Sequence, residues 1–285
     1  MVTVLLVALF VIVVSAPTVL EVNALRTVHD LTSDLSLIPR RRPTLAQNSS
    51  KSVDVFKKAL YLNSKVIIYG DPYPQLDELA ANGLTAVGTN FETGYGEREF
   101  STIRAWIQKA RQSGFPTFVM FGVSYQSTQS FVGTAINMGV DAIVIDEPYS
   151  QRDFTQSQLL SVLDKALKLN PGIILIIDEY NPRVIAMVYA STAAYPSVYV
   201  ASDDYYDLAT IDYNISAAAE YQKTPLVWLI FSQGSDPSFP CYKDLSTWIA
   251  YAKARNVYTL FYRVDCANAA GPGSWTLQWS LVASY

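Results

Sequence analysis

The chain has 285 residues, of which 50% are hydrophobic and 16% are charged, and its net charge is −4 at pH 7. This composition is too apolar and too weakly charged for a disordered protein, and a chain of this length can bury a large core. The mildly acidic balance, with no basic stretch longer than Arg40–Arg42, repels phosphate backbones. We therefore expect no nucleic-acid partner.

The N-terminal segment has the features of a secretory signal. Val2–Val14 is an apolar run, and Val22-Asn23-Ala24 offers a small-residue cleavage site. The alternative is an uncleaved anchor, because Val2–Leu20 is nearly long enough to span a bilayer and the usual early Lys or Arg is missing. We expect a signal peptide over residues 1–24, a linker or pro-segment over 25–50, and a secreted, monomeric domain over 51–285 that is free of the membrane once the signal is cleaved.

Short apolar runs alternate with helical patterns from residue 65 onward. Nearly continuous apolar runs, without alternating polar residues, are typical of parallel strands that are covered on both faces. The predicted strands are Val66–Tyr69, Leu84–Val87, Thr117–Phe121, Ala142–Ile145, Ile173–Ile177, Val198–Val200, Leu226–Phe231 and Val257–Tyr262.

Helical patterns lie between these strands. Ser101–Ser113, Gln156–Leu169 and Asp244–Arg255 each place apolar residues on one face, and Gly or Pro precedes several strands. Eight strand–helix units in about 220 residues predict an α/β fold of one domain, the (β/α)8 TIM barrel. The alternative is an open doubly wound sheet, which favours a glycine-rich turn after its first strand, whereas Gly70–Pro74 lacks phosphate-binding glycines.

Polar residues follow most of the predicted strands. In barrel enzymes the functional groups lie at the C-terminal strand ends, so we expect these side chains to converge on one mouth of the barrel. Any single carboxylate could instead cap the following helix. Burying several together is costly without partners, and the acids after strands four, five and six together predict a functional site. The candidates are Asp71, Asp146, Glu147, Asp178, Glu179, Asp203, Asp204, Tyr205, Gln233 and Arg263.

The chemistry open to this site is limited by its histidine content. The sequence has one histidine, His29, and it precedes the barrel, which excludes a histidine-rich zinc site and a Ser-His-Asp triad within the domain. Glycoside hydrolysis needs only two carboxyl groups, one protonated as the acid and one ionised as base or nucleophile. A carboxylate cluster could instead hold Mg²⁺ or Ca²⁺. We expect neither a cofactor nor a metal.

Two further patterns concern covalent modification. Cys241 and Cys266 follow the seventh and eighth strands, which are neighbours in a barrel, so a disulfide between them is expected in a secreted protein, with two free thiols as the alternative. Asn48-Ser49-Ser50 and Asn214-Ile215-Ser216 fit the N-glycosylation pattern, which is a short and weak match.

The fourth predicted strand and its flanks resemble the fourth-strand segment of TIM-barrel glycoside hydrolases. In the chitinase-like family this segment follows the pattern Asp-Gly-x-Asp-x-Asp-x-Glu, and Asp141 and Asp146 match its first and third acids. Val144 replaces the middle acid, Pro148 stands at the position of the catalytic Glu, and Glu147 lies one residue earlier. The segment also resembles polygalactosaminidase-like barrels. The resemblance thus implies a glycosidase superfamily without selecting a family.

This resemblance, together with the carboxylates, predicts a secreted glycosidase acting on a carbohydrate. Glu147 is the expected acid, and Glu179 or one of Asp203 and Asp204 is the expected base or nucleophile. Asp71, Asp146 and Asp178 would tune pKa values or bind sugar hydroxyls, and Tyr205, Gln233 and Arg263 would contact the substrate.

Strand geometry sets a condition on this assignment. Asp146 and Glu147 are adjacent, so they point to opposite sides while the strand persists, and Glu147 has to turn inward through the loop that Pro148 bends. The same ambiguity holds for Asp178 and Glu179. The alternatives are a non-catalytic carbohydrate-binding barrel, suggested by Val144 and Pro148, and a metal-dependent hydrolase.

Overall fold

The structure is a computed structural model, and it describes residues 52–62, 64–69, 76–203, 208–230 and 245–262. A 3-10 helix, Val53–Phe56, precedes the first strand. The strands are β1 Lys58–Leu62, β2 Ala86–Phe91, β3 Thr117–Phe121, β4 Ala142–Asp146, β5 Ile174–Glu179, β6 Val198–Asp203, β7 Pro225–Ile230 and β8 Tyr258–Tyr262. The helices are α1 Ser64–Tyr69, α2 Leu76–Ala81, α3 Glu97–Gln112, α4 Tyr125–Asn137, α5 Gln156–Leu169, α6 Pro182–Thr192, α7 Leu208–Glu220 and α8 Leu245–Ala254.

The strands form a closed parallel barrel in chain order. Each strand pairs with the next, and β8 closes the ring by pairing with β1, where Ala59 lies opposite both Ala86 of β2 and Leu260 of β8. Helices connect the parallel strands along the outside, as parallel pairing requires. The predicted (β/α)8 barrel is confirmed, while the boundaries at residues 24 and 50 stay predictions.

The predicted position of the first strand is wrong. β1 is Lys58–Leu62, all of whose residues are buried, and the predicted strand Val66–Tyr69 belongs to the short helix α1. Both segments are short apolar runs, and such runs do not distinguish a strand from a buried helix by periodicity alone. Asp71 was expected at the barrel mouth because it follows the predicted strand Val66–Tyr69. Since that segment is helical, this reason no longer holds, and Asp71 itself lies outside the described residues.

Other boundaries follow the sequence more closely. β3 and α5 have their predicted limits, and the predicted eighth strand and last helix are each only slightly longer than β8 and α8. β2 begins and ends later than predicted. Its second half includes Thr89 and Asn90, polar residues that are nonetheless buried, so the strand continues beyond the apolar run seen in the sequence. α3 begins at Glu97, where the Glu99 carboxylate accepts a hydrogen bond from the Gly96 N–H at 3.0 Å.

The side chains of the barrel separate into an inner and an outer layer. The inner layer packs around Phe118, Val144, Ile176 and Trp228, and Phe56 of the 3-10 helix packs on it with its ring centroid 5.9 Å from that of Phe118. Residues one position along, such as Ile177, pack outward against the helices. This alternation of faces lets the direction of each acid at a strand end be deduced from its neighbours.

Asn214 joins two strands from the outside. It is 1% exposed, and its Nδ2 donates to the carbonyl of Val200 in β6 at 3.4 Å and to that of Leu226 in β7 at 2.9 Å. Its Oδ1 accepts from the Tyr189 hydroxyl at 2.7 Å. A buried amide with these partners is not accessible to glycosylation in the folded protein. Asn214 therefore has a structural role there, although its sequence fits the glycosylation pattern.

No helix within the described ranges is long and apolar enough to cross a membrane.

Candidate functional site

Acidic residues meet where β4 and β5 end at the barrel mouth. Asp146 is the last residue of β4 and pairs across the sheet with Asp178 of β5. Val144 and Ile176, two positions earlier, belong to the inner layer, so strand alternation directs Asp146 and Asp178 to the barrel interior. We call the group Asp146, Glu147, Asp178 and Glu179, with the loop 148–152, the β4–β5 edge.

The backbone leaves its extended conformation at Glu147. This residue has a φ of 46°, in the left-handed region that a non-glycine residue rarely adopts. Its N–H donates to the Asp178 carbonyl at 2.9 Å, and its carbonyl accepts from the N–H groups of Gln151 at 3.0 Å and Arg152 at 3.2 Å. The chain thus turns sharply at the position where the sequence requires a turn if Glu147 is to join the interior acids.

The Glu147 carboxyl is 4% exposed, and burial raises its pKa to about 8. The nearby charges of Asp146 and Glu179 raise the pKa further, while Arg152 and a hydrogen bond with Gln151 oppose the shift. A carboxyl with this pKa is protonated at neutral pH and can act as a general acid.

Asp146 is held by a cation from the same loop. Its Oδ2 accepts from Arg152 Nη2 at 2.9 Å, in a pair that is partly exposed to solvent. Gly122, after β3, allows this pair to form, because a Cβ there would lie 3.0 Å from Asp146 Oδ2 and 3.3 Å from Arg152 Nη2. Burial raises the pKa of Asp146, and Arg152 opposes that shift.

Glu179 occupies a different position from the other acids. It follows Asp178 on β5, so its side chain points to the helix side of the sheet, and it is 0% exposed. Oε1 accepts from the N–H of Tyr149 at 2.8 Å and from that of Ser150 at 3.4 Å, and Oε2 accepts from the Ser150 hydroxyl. Burial raises the pKa of Glu179 to about 7, against the lowering effect of these hydrogen bonds.

A second polar group lies where β1 and β2 end, and sequence analysis missed it. The Ser64 N–H donates to Asn90 Oδ1 at 2.7 Å, and Asn90 Nδ2 donates to Glu92 Oε1 at 3.1 Å. The Ser64 hydroxyl shares a hydrogen bond with the Tyr95 hydroxyl. We call these four residues the β1–β2 edge. Placing β1 one segment too late concealed Ser64, although the polar end of β2 was visible in the sequence.

The remaining predicted residues have other positions or lie outside the described part of the chain. Asp141 precedes β4 at the opposite end of the barrel, where its Oδ2 accepts from Arg111 Nη1 at 2.9 Å and from the Thr117 N–H at 3.0 Å. The structure describes only the backbone of Asp203, the last residue of β6. Asp71, Asp204, Tyr205, Gln233, Arg263, Cys241 and Cys266 lie outside the described residues.

Within the described segments, no three histidine, cysteine or carboxylate side chains are grouped to hold a metal ion.

The sequence matches no protein-family model and no curated protein sequence. Several solved structures share its fold. An endoglucanase superposes with a TM-score of 0.55 at 10% identity, over 81% of this chain and 98% of that one. A mutant O-GlcNAc hydrolase of Thermobaculum terrenum gives 0.50 at 12% identity, over 80% and 57% of the two chains. A variant of the citrate synthase SbnG gives 0.50 at 13% identity, over 79% and 92%. At these identities the likenesses show the barrel fold alone.

Proposed function

We propose that this protein is a secreted glycoside hydrolase that cleaves an oligosaccharide or polysaccharide by carboxylate acid–base chemistry. The observation that carries the proposal is the state of Glu147: a nearly buried carboxyl at the mouth of a (β/α)8 barrel, turned out of its strand by a left-handed backbone and with a pKa raised to about 8. Such a carboxyl is a proton donor under neutral conditions.

In the proposed reaction, Glu147 protonates the glycosidic oxygen as the bond to the leaving sugar breaks. A second, ionised carboxylate either takes a proton from the water that attacks the anomeric carbon, or attacks that carbon itself. In the second case water then hydrolyses the glycosyl–enzyme bond and returns its proton to Glu147. Because Glu179 faces away from the interior, we assign this second role to Asp203 or Asp204. Asp146 and Asp178, which face the interior, bind sugar hydroxyls, with Asp71, Tyr205, Gln233 and Arg263 as further proposed contacts.

The barrel fold is compatible with a carbohydrate substrate. Two of the enzymes with this fold are named for hydrolysing glycans, the endoglucanase and the O-GlcNAc hydrolase, whereas the citrate synthase carries other chemistry on the same fold. The fold therefore does not identify the chemistry, and the proposed glycosidase activity depends on the carboxyl groups of the site itself. Secretion after cleavage near residue 24, a monomeric state and a Cys241–Cys266 disulfide complete the proposal.

The proposal is tested by assaying the full chain against a panel of glycans with Glu147→Gln and Glu220→Gln. The first substitution removes the acid and keeps its shape, and it is expected to lower kcat by about 10²–10⁴-fold. The second makes the same chemical change at an exposed carboxylate at the end of α7 and is the matched control. Equal activity in both variants and the wild-type protein would contradict the role of Glu147.

A second candidate is a non-catalytic carbohydrate-binding barrel. The observation that favours it is that Val144 and Pro148 stand at two positions where the chitinase-like pattern has acids. Binding on a glycan array without release of reducing ends would support this candidate against hydrolysis.

A further inference from the structure

We propose that Glu179 is a positioning residue that holds the β4 loop so that Glu147 and Arg152 face the proposed reaction site. The inference deepens the proposed function and rests on it for its kinetic consequences. It assigns Glu179 a role other than that of base or nucleophile, and it follows from which face of β5 the residue occupies and which groups it binds.

The carboxylate of Glu179 lies on the helix side of β5, away from the barrel mouth. Ile177, two positions before Glu179, packs in the outer layer between the barrel and its helices, and Glu179 continues on that face. Its side chain is 0% exposed. A carboxylate in this layer cannot touch a sugar in the mouth, so any effect on the reaction has to pass through another residue.

The loop after β4 donates hydrogen bonds to both carboxylate oxygens of Glu179. One oxygen accepts the N–H groups of Tyr149 and Ser150, and the other accepts the Ser150 hydroxyl. Hydrogen bonds to a buried carboxylate are stronger than those between neutral groups. The loop is thereby fastened at its second and third residues after Glu147.

The loop held by Glu179 determines the positions of two side chains, those of Glu147 and Arg152. Glu147 adopts an unfavourable left-handed conformation, and its carbonyl closes a turn on the N–H groups of Gln151 and Arg152. Arg152, at the end of that turn, pairs with Asp146. If Glu179 released the loop, Glu147 could return to an ordinary backbone conformation, and the Arg152–Asp146 pair would lose its support.

Substitutions at Glu179 distinguish positioning from direct catalysis. In Glu179→Gln the amide oxygen still accepts the two N–H groups, and the Ser150 hydroxyl can rotate to accept from the amide nitrogen. In Glu179→Ala the loop loses all three bonds. We expect Glu179→Gln to stay within about 3-fold of wild-type kcat and Glu179→Ala to fall by about 100-fold with a small change in KM, since a displaced acid costs about that factor.

Two kinetic results would overturn the inference. A Glu179→Gln variant as inactive as Glu179→Ala would make Glu179 the base or nucleophile, and an active Glu179→Ala would show that the loop needs no anchor. If Glu179→Ala fails to fold, Ser150→Ala tests the same anchor at a partly exposed side chain, with an expected loss of about tenfold in kcat. An unchanged kcat in Ser150→Ala would equally overturn it.

A measurement that needs no activity separates this inference from the proposed function. The titration of Glu147 can be followed by carboxyl ¹³C NMR in the wild-type protein, Glu179→Gln and Ser150→Ala. We expect the Glu147 midpoint to fall in Glu179→Gln because a neighbouring negative charge is removed, and to fall in Ser150→Ala, which keeps that charge, because the enclosing loop is loosened. An unchanged Glu147 midpoint in Ser150→Ala would overturn the positioning role even if the wild-type protein cleaves glycans. Shifted midpoints in a protein that cleaves none would refute the proposed hydrolase alone.

Discussion

The β4–β5 edge and the β1–β2 edge occupy equivalent places at the barrel mouth, yet they satisfy their polar groups differently. At the β1–β2 edge one carboxylate, Glu92, is surrounded by hydroxyl and amide groups that hydrogen-bond to it and to one another. At the β4–β5 edge Arg152 pairs with Asp146 and opposes the rise in the pKa of Glu147, while the charges of Asp146 and Glu179 raise that pKa. Acids that are enclosed together raise one another's pKa values. Neutral hydroxyl and amide donors instead form a hydrogen-bond network whose main effect is to fix the positions of its members.

The largest effect expected from this contrast is in the pH dependence of stability. The Glu147 carboxyl has an ordinary pKa of 4.5 and a pKa of about 8 in the folded protein, so between these values the folded state binds more protons than the unfolded chain. Its contribution to the free energy of unfolding is therefore greatest below pH 4.5 and is lost as the pH rises to 8. Glu147→Gln should flatten this fall and stabilise the protein at pH 8 by roughly 3 kcal/mol. Urea unfolding at several pH values measures this.

Glu99 provides a control of opposite sign for that experiment. It is partly exposed, and the hydrogen bond from the Gly96 N–H holds the pKa of Glu99 below its ordinary value. The contribution of Glu99 to stability is therefore present above that value and is lost as the pH falls. Glu99→Gln should therefore weaken the protein slightly and equally at neutral and alkaline pH, and leave the slope of stability between pH 4.5 and 8 unchanged. A slope between pH 4.5 and 8 that is identical in Glu147→Gln and the wild-type protein would remove the distinction between the two edges.

A smaller effect is expected at Gly122, which admits the Asp146–Arg152 pair. In Gly122→Ala the new Cβ would meet Asp146 Oδ2 at 3.0 Å, so the pair has to shift, with an expected loss of about 1–2 kcal/mol in stability and of about tenfold in kcat. Gly133→Ala is the matched control: nothing lies within 4 Å of its Cβ, and its place in helix α4 predicts a gain of up to about 1 kcal/mol. If both variants behave alike in thermal unfolding and kinetics, the close approach at Gly122 has no consequence.

The smallest effect is expected at the β1–β2 edge. Ser64→Ala removes the hydroxyl that bonds Tyr95 and Glu92 but keeps the backbone N–H that donates to Asn90. The free energy of unfolding should fall by about 1 kcal/mol while kcat stays within about 2-fold of the wild-type value. A loss of activity as large as that of Glu147→Gln would place the reaction at this edge and reverse the comparison.

Sequence patterns predicted the barrel well because its signals are repeated along the chain. Apolar runs and intervening amphipathic helices located β3 and α5 at their observed limits. The error at β1 arose where two short apolar runs, Lys58–Leu62 and Val66–Tyr69, lie close together and either could form a strand. Barrel closure decides between them, since only the first pairs with both Ala86 and Leu260.

The candidate site was predicted in its composition but not in its arrangement. The acids at the ends of β4 and β5 were expected at the mouth, and Asp146 and Asp178 face the interior there. Glu179 could not be separated from Asp178 in the same way, because the face that a residue occupies depends on the register of the whole strand, and a shift of one residue exchanges the two. The hydrogen bonds that fasten the β4 loop to Glu179 join residues about thirty positions apart and leave no local pattern in the sequence.

By itself, the sequence determined the (β/α)8 architecture, the absence of histidine from the barrel and the carboxylate character of the mouth, because these depend on local periodicity and residue content. Only the tertiary structure decided that Glu147 leaves its strand through a left-handed turn, that Asp146 and Asp178 face inward, and that Glu179 lies behind the sheet and accepts hydrogen bonds from the loop after β4. The physical reason is that burial, strand register and the mutual repulsion of acids are properties of the assembled barrel, and they set which carboxyl holds a proton.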